Sequence, residues 1–208
     1  MLRPSSFRLL RSLLVLFILA QPLAALAART VLIFGDSLSA GYGIRQEDAW
    51  PSLLAKRLQE RHPDYNVVNA SISGETSSGG RSRLPAALER HNPSVVVIAL
   101  GSNDGLRGLP IATLRENLLA MIDAAQKTKA RVLLVGQRLP PNYGRYAEEF
   151  AQTFADIARQ RRLASVDFLL EGIATRRDLF QADALHPTAE AQPILMESVW
   201  KRLEPLLK

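Results

Sequence analysis

Thr30-Val31-Leu32-Ile33-Phe34-Gly35-Asp36-Ser37-Leu38-Ser39 carries four apolar residues, two of them β-branched, straight into Gly-Asp-Ser. A buried strand that ends in a tight turn has this composition. Open α/β sheets gather their ligands and chemistry at the carboxyl ends of strands, so Ser37 stands in a reactive place. The stretch is not the Gly-x-Ser-x-Gly nucleophile elbow, because position 39 is Ser. Neither Gly-x-Gly-x-x-Gly nor Gly-x4-Gly-Lys-Ser/Thr, the phosphate-cradling loops, occurs in the chain. Alone, Gly-Asp-Ser-Leu is also what a plain turn looks like, and the segments around it have to decide.

Outward from that strand, helical and strand patterns alternate without repeat, low-complexity tract or linker. Trp50, Leu53, Leu54, Arg57 and Leu58 follow helical spacing, with Pro51 tolerated in the first turn and His62-Pro63 as the stop. Asn66 to Ala70 reads as the second strand. Ser78 to Arg90 reads as a helix that Pro85 should bend or split. Ser94 to Leu100 is the clearest strand, a continuous apolar run of the kind covered on both faces in parallel sheets. A helix from about Ala112 to Thr128 precedes the strand Arg131 to Gln137. A further helix, from Tyr143 or Gly144 to Arg162, precedes the short strand Ser165 to Phe168. The last helix is expected after His186-Pro187, with Thr188 as its N-cap and Pro193 distorting its early turns. Five strands joined by helical crossovers predict a three-layer α/β/α sandwich on a five-stranded parallel sheet. The flavodoxin-like order 2-1-3-4-5 is the simplest doubly wound solution, with its crevice between the first and third strands.

The 208 residues suit one domain with a proper core, but the N-terminus does not belong to it. Arg3, Arg8 and Arg11 precede the apolar run Leu13 to Ala20, and the small-residue stretch Ala24 to Ala28 follows. That is the order of a secretory signal peptide over residues 1–27, with Ala25-x-Ala27 as the cleavage site and 28–208 as the single mature domain. The apolar run is shorter than the roughly 20 residues a bilayer span needs. The chain is therefore expected to be exported to the periplasm or outside the cell, as a monomer with no stable membrane anchor. Removing residues 1–27 takes away three arginines and no acid, so the formal charge falls from +6 to +3. That modest excess gives no argument for nucleic acid, and Arg159, Arg161 and Arg162 suit the end of a helix. The absence of cysteine excludes disulfides, a thiol nucleophile, a zinc–thiolate site and a lipidated N-terminal Cys.

Four segments fall at the carboxyl ends of strands or just beyond them and should meet at one edge of the sheet. They are Ser37, Ser71-Ile72-Ser73-Gly74-Glu75-Thr76, Gly101-Ser102-Asn103-Asp104-Gly105 and Asp183-Ala184-Leu185-His186-Pro187. Each supplies something acyl transfer needs. A serine hydroxyl requires a base, His186 can be that base, and Asp183 can fix its tautomer. Backbone N–H groups at Ser37 and Gly74, with the Asn103 amide, can serve as oxyanion donors. Asp36 and Asp104 read as residues that hold loops, and His62 and His91, beside prolines at helix ends, as surface punctuation.

The same four blocks, Gly35-Asp36-Ser37-Leu38-Ser39, Ile72-Ser73-Gly74, Gly101-Ser102-Asn103-Asp104 and Asp183-Ala184-Leu185-His186-Pro187, resemble those of the SGNH (GDSL) hydrolases. Val68 to Ser71, Asn103 to Gly108 and Leu139 to Gly144 extend the likeness to the bacterial acyl-CoA thioesterase/lysophospholipase/arylesterase subgroup, over essentially the whole mature chain. The resemblance implies Ser37 as nucleophile, Asp183 and His186 completing the triad, and Gly74 and Asn103 in the oxyanion hole. It implies a small-molecule acyl ester or thioester as substrate, with no cofactor or metal. Glu75 departs from the Asp expected in this subgroup and bears only on local loop bonding. The subgroup has a movable loop after the Asn block that closes over acyl chains, and Leu106 to Pro110 fall at its position. Gly105 and Gly108 would allow such motion. Leu106, Leu109 and Pro110, with Leu139, Pro140 and Tyr143, are the candidate acyl contacts. The rival functions on this scaffold are a carbohydrate O-acetylesterase and, from another class, a non-catalytic acyl- or glycan-binding module.

Overall fold

The computed structural model describes residues 28–207, and the signal-peptide reading of residues 1–27 lies outside them. Five strands, β1 (Arg29–Gly35), β2 (Tyr65–Asn69), β3 (Val95–Ala99), β4 (Arg131–Val135) and β5 (Ala164–Val166), form one sheet. Its order is β2-β1-β3-β4-β5 and every pairing is parallel, the doubly wound solution expected from the pattern. The helices are α1 (Ser37–Ala40), α2 (Trp50–Arg61), α3 (Ser77–His91), α4 (Ser102–Leu106), α5 (Ile111–Lys127), α6 (Arg145–Arg161) and α7 (Gln192–Leu203).

Alternation along the strands divides the core into two layers. Val31, Ile33, Val95 and Val97 face α2 and α7, where Trp50, Leu54, Leu195 and Val199 cover them. Leu32, Phe34, Val96 and Ile98 face the other way, against Leu84 of α3, Leu118 and Ile122 of α5 and Phe150 of α6. All these side chains are essentially inaccessible, and each such burial stabilises by about 1.5–3 kcal/mol relative to exposure. With both faces covered, β1 and β3 read as unbroken apolar runs rather than alternating ones.

Two expected helix features come out differently. Pro85 does not split α3, which runs unbroken from Ser77 to His91. Pro85 lies on the exposed face, while Leu84, Ala87 and Leu88 pack into the core, so the lost backbone bond falls on the solvent side. Thr188 is the N-cap of a 3-10 turn rather than of the last α-helix, and its side chain makes no capping bond. That turn, over Ala189–Ala191, intervenes, and α7 begins at Gln192 with Pro193 inside its first turn, where a missing N–H costs nothing.

Candidate active site

β1 delivers Ser37 through a firmly held turn. Asp36, in extended conformation, caps α1 by accepting the Leu38 N–H at 3.0 Å, which makes Ser37 the first helical residue. The Trp50 indole donates to the Leu38 carbonyl at 3.2 Å and the Asn69 amide donates to the Ser39 carbonyl at 2.8 Å. The nucleophile candidate thus has few conformations left to it.

His186 arrives from the stretch between β5 and α7. Asp183 Oδ1 accepts the backbone N–H groups of Leu185 and His186 at 2.9 and 3.0 Å, a tight Asx turn. The turn puts Ala184 at φ 59, a left-handed conformation that an L side chain adopts at a cost of about 1–2 kcal/mol. Asp183 Oδ2 stands 2.7 Å from His186 Nδ1, and His186 Nε2 stands 2.9 Å from Ser37 Oγ. Gln181 braces the turn: its amide donates to the Tyr42 and Pro187 carbonyls, and the Tyr42 ring lies 4.5 Å from the imidazole.

Bonds to the His186 ring, to the His186 N–H and to the Leu185 N–H hold the Asp183 carboxyl well below the usual carboxylate range. It is therefore ionised at neutral pH. Asp36 is shifted the other way. It is buried, and burial pushes its pKa up to about 6 despite the Leu38 N–H and the Ser102 hydroxyl beside it. The folded state therefore holds this proton more tightly than the unfolded chain, so the stability Asp36 adds is complete below about pH 4 and lost as pH rises through about 6. We expect the unfolding free energy of the wild type, less that of Asp36→Asn, to fall by about 2 kcal/mol between pH 4 and 7. Urea unfolding across that range measures it, and a pH-independent difference would place the titration elsewhere.

Gly74 and Asn103 come from the loops after β2 and β3. Gly74 has φ 80, and a Cβ placed on it would touch no atom within 4 Å, so its backbone is open to an incoming ligand. Asn103, the second residue of α4, donates one amide hydrogen to the Glu75 carbonyl at 3.0 Å, and the other meets no acceptor among the described residues. Gly101 starts α4 at φ 123, with Phe154 Cζ 2.9 Å from where its Cβ would be, so only glycine fits there. Asp104 is buried and accepts the Ser77 N–H at 2.7 Å and the Ser77 hydroxyl at 2.5 Å, tying α4 to the start of α3. Both loop aspartates therefore hold loops, as their sequence context suggests.

A cleft of about 470 Å³ opens beside Ser37, Asn103 and His186. Of the six acyl-contact candidates, Leu106, Leu139 and Pro140 line it, and Leu109, Pro110 and Tyr143 do not. The Tyr143 hydroxyl instead donates to the Leu106 carbonyl at 3.2 Å, and Tyr146 donates to the Leu109 carbonyl at 2.6 Å, so α6 and the turn before it strap this loop from outside. Much of the opposite wall was missed: Phe168, Leu170, Phe180 and Leu185 come from an irregular stretch with no periodicity. A second cleft, of about 430 Å³ between β5 and α6, holds none of the candidate residues.

Gly105 lies inside α4, against closely packed side chains. A Cβ there would lie 2.8 Å from both Leu139 and Phe150. Gly105→Ala should lower the urea midpoint, because overpacking costs about 1–3 kcal/mol against at most about 1 kcal/mol gained in helix propensity. An unchanged midpoint would show that Leu139 moves aside freely.

Residues 33–193 match the GDSL-like lipase/acylhydrolase family. Esterase TesA of Pseudomonas aeruginosa is 49% identical over 200 residues, covering 96% of this chain and 98% of the relative. Thioesterase 1/protease 1/lysophospholipase L1 of Escherichia coli K12 is 40% identical over 193 residues, covering 92% of this chain and 91% of the relative. A crystal structure of TesA superposes with a TM-score of 0.84 at 50% identity, covering 86% of this chain and all of that one. Matched from β1 to the start of α7, and alike in sheet and sequence to these hydrolases, the chain belongs to the GDSL-like lipase/acylhydrolase family.

Proposed function

We propose that this protein is a serine esterase and thioesterase that cleaves acyl esters of aryl or alkyl alcohols, acyl-CoA or lysophospholipids through an acyl-enzyme. One observation carries the reading: the unbroken contact from Asp183 through His186 to Ser37 Oγ, at 2.7 and 2.9 Å, beside an apolar cleft. The names of its relatives, an esterase and a thioesterase/lysophospholipase, support the same chemistry.

The steps follow from the geometry. Ser37 Oγ attacks the acyl carbonyl while His186 Nε2 takes its proton, and ionised Asp183 holds the imidazolium that forms. The carbonyl oxygen gains negative charge opposite the N–H groups of Ser37 and Gly74 and the second Asn103 amide hydrogen. Collapse breaks the bond to the alcohol or thiol, which leaves with the proton from His186. Water then attacks the acyl-serine, again giving its proton to His186; collapse breaks the bond to Ser37 Oγ, which takes that proton back as the acid leaves. The acyl chain lies along Leu38, Leu106, Leu139 and Phe180. An acetyl group leaves most of that cleft unfilled, which argues against the carbohydrate O-acetylesterase.

Turnover of short, medium and long acyl esters, an acyl-CoA, a lysophospholipid and an acetylated sugar tests this. Medium or long chains should outpace acetyl by kcat/KM. A preference for the acetylated sugar would overturn the substrate class, and no turnover of any of them would overturn the reaction. Export belongs to the same proposal: residues 1–27 direct the chain across the membrane, and the monomeric mature protein starts at Ala28. Amino-terminal sequencing of protein from the periplasm or medium checks that start.

A further inference from the structure

We infer that Arg83 and Glu75 are a positioning pair that sets the two oxyanion donors of Gly74 and Asn103. The inference rests on the esterase reading and concerns residues that reach no substrate themselves.

Arg83 projects from α3 with about a quarter of its side chain exposed, and its guanidinium lies over the Phe34 ring, 4.2 Å from the centroid. Phe34 belongs to β1, two residues before Asp36. From there Nη1 donates to the Ala70 carbonyl at 2.8 Å and Nε donates to Glu75 Oε2 at 2.9 Å. Ala70 and Glu75 are the two ends of the loop that carries Gly74. One planar group therefore fixes both ends of that loop against the strand that delivers Ser37, which a point charge such as Lys cannot do with the same geometry.

Glu75 passes the constraint on. Its carbonyl is the acceptor that orients the Asn103 amide, at 3.0 Å, so a shift of Glu75 moves both donors together. Its other oxygen, Oε1, sits 2.0 Å from where a Cβ on Gly79 would be. The longer side chain at this position is accommodated because residue 79 is glycine. A covered ion pair of this kind adds little net stability, since desolvation offsets its attraction. A defined geometry is what remains for it to supply. Oxyanion donors act through geometry, because each must meet an oxygen that exists only as the bond forms.

The test uses the purified protein with one soluble aryl ester, following kcat, KM and melting temperature. Arg83→Gln and Glu75→Gln should each lower kcat by about ten- to a hundredfold, less than outright loss of a donor, with KM within about twofold. The double variant should lie close to either single one, as coupled partners do. Gly79→Ala leaves both partners in place but evicts the Glu75 carboxylate. It should lower kcat while the melting temperature holds or rises, because Ala favours the helix. Adding Glu75→Asp to Gly79→Ala, which shortens the side chain clear of the new methyl, should bring kcat back toward the wild type.

Variants that keep kcat within twofold would overturn the inference. So would a rise in KM at constant kcat, which would mean contact with substrate, or a loss of kcat that only follows melting temperature while Gly79→Ala is silent. Wild-type turnover, and its loss in Ser37→Ala, are measured alongside. Failure there sinks the esterase reading, whereas silent Arg83, Glu75 and Gly79 variants beside an active wild type sink the pair alone.

Discussion

Ser37→Ala should lower kcat/KM for any accepted ester by at least about a thousandfold and leave the melting temperature unchanged. The size follows from what is lost: without Oγ no acyl-enzyme forms, and the oxyanion donors and cleft can only assist direct attack by water. The fold should persist because the Ser37 hydroxyl has one partner, His186, and lies at the cleft rather than in either core layer. A fluorophosphonate should label Ser37 in the wild type and no other serine. Ser39 is fully buried, and the Ser102 hydroxyl is buried and bears on the Asp36 carboxyl, whereas His186 Nε2 meets Ser37, so neither has the imidazole to activate it. Labelling at Ser39 or Ser102, or an active Ser37→Ala, would overturn the nucleophile.

The sheet was legible because its strands are buried on both faces. Val95 to Ala99 and Val31 to Phe34 read as continuous apolar runs, and such runs between helical patterns leave little choice but a parallel doubly wound sheet. The meeting of Ser37, Asp183 and His186 was legible for a related reason. Once the sheet is parallel, every loop after a strand opens on the same edge, and the polar segments fall at those loops. Helix starts were less so. Thr188 has the chemistry of an N-cap, yet a 3-10 turn comes first, because local capping preference is weaker than the packing of Ala191 and Leu195 onto the sheet.

The cleft was the least legible part, for two physical reasons. Leu109, Pro110 and Tyr143 are apolar neighbours of lining residues, but chain direction decides which side chain points inward, and composition does not carry direction. Phe168 to Leu185 supplies a whole wall from an irregular segment whose pattern follows neither period 2 nor 3.6. Gln181 and Tyr42, which brace the His186 turn, left no signal at all in the sequence.

Asn103→Ala separates an enzyme from a binding module. In a binder, an amide beside a ligand carbonyl holds the ground state, so its removal weakens affinity. In an esterase, the same amide meets an oxygen whose charge grows as Ser37 attacks, so the contact strengthens toward the transition state. We expect kcat to fall by about 10²–10³, roughly 2.7–4 kcal/mol, while KM moves little. Activity should remain above that of Ser37→Ala, because the two other proposed donors, the N–H groups of Ser37 and Gly74, are untouched. Folding should change little, since the lost bond to the Glu75 carbonyl is a single one at the site edge, worth about 0.5–1.5 kcal/mol. Steady-state kinetics with one soluble ester, beside a thermal melt, decides it. A variant that keeps kcat and only raises KM would make Asn103 a ground-state grip, and the oxyanion would then rest on the Ser37 and Gly74 backbone alone.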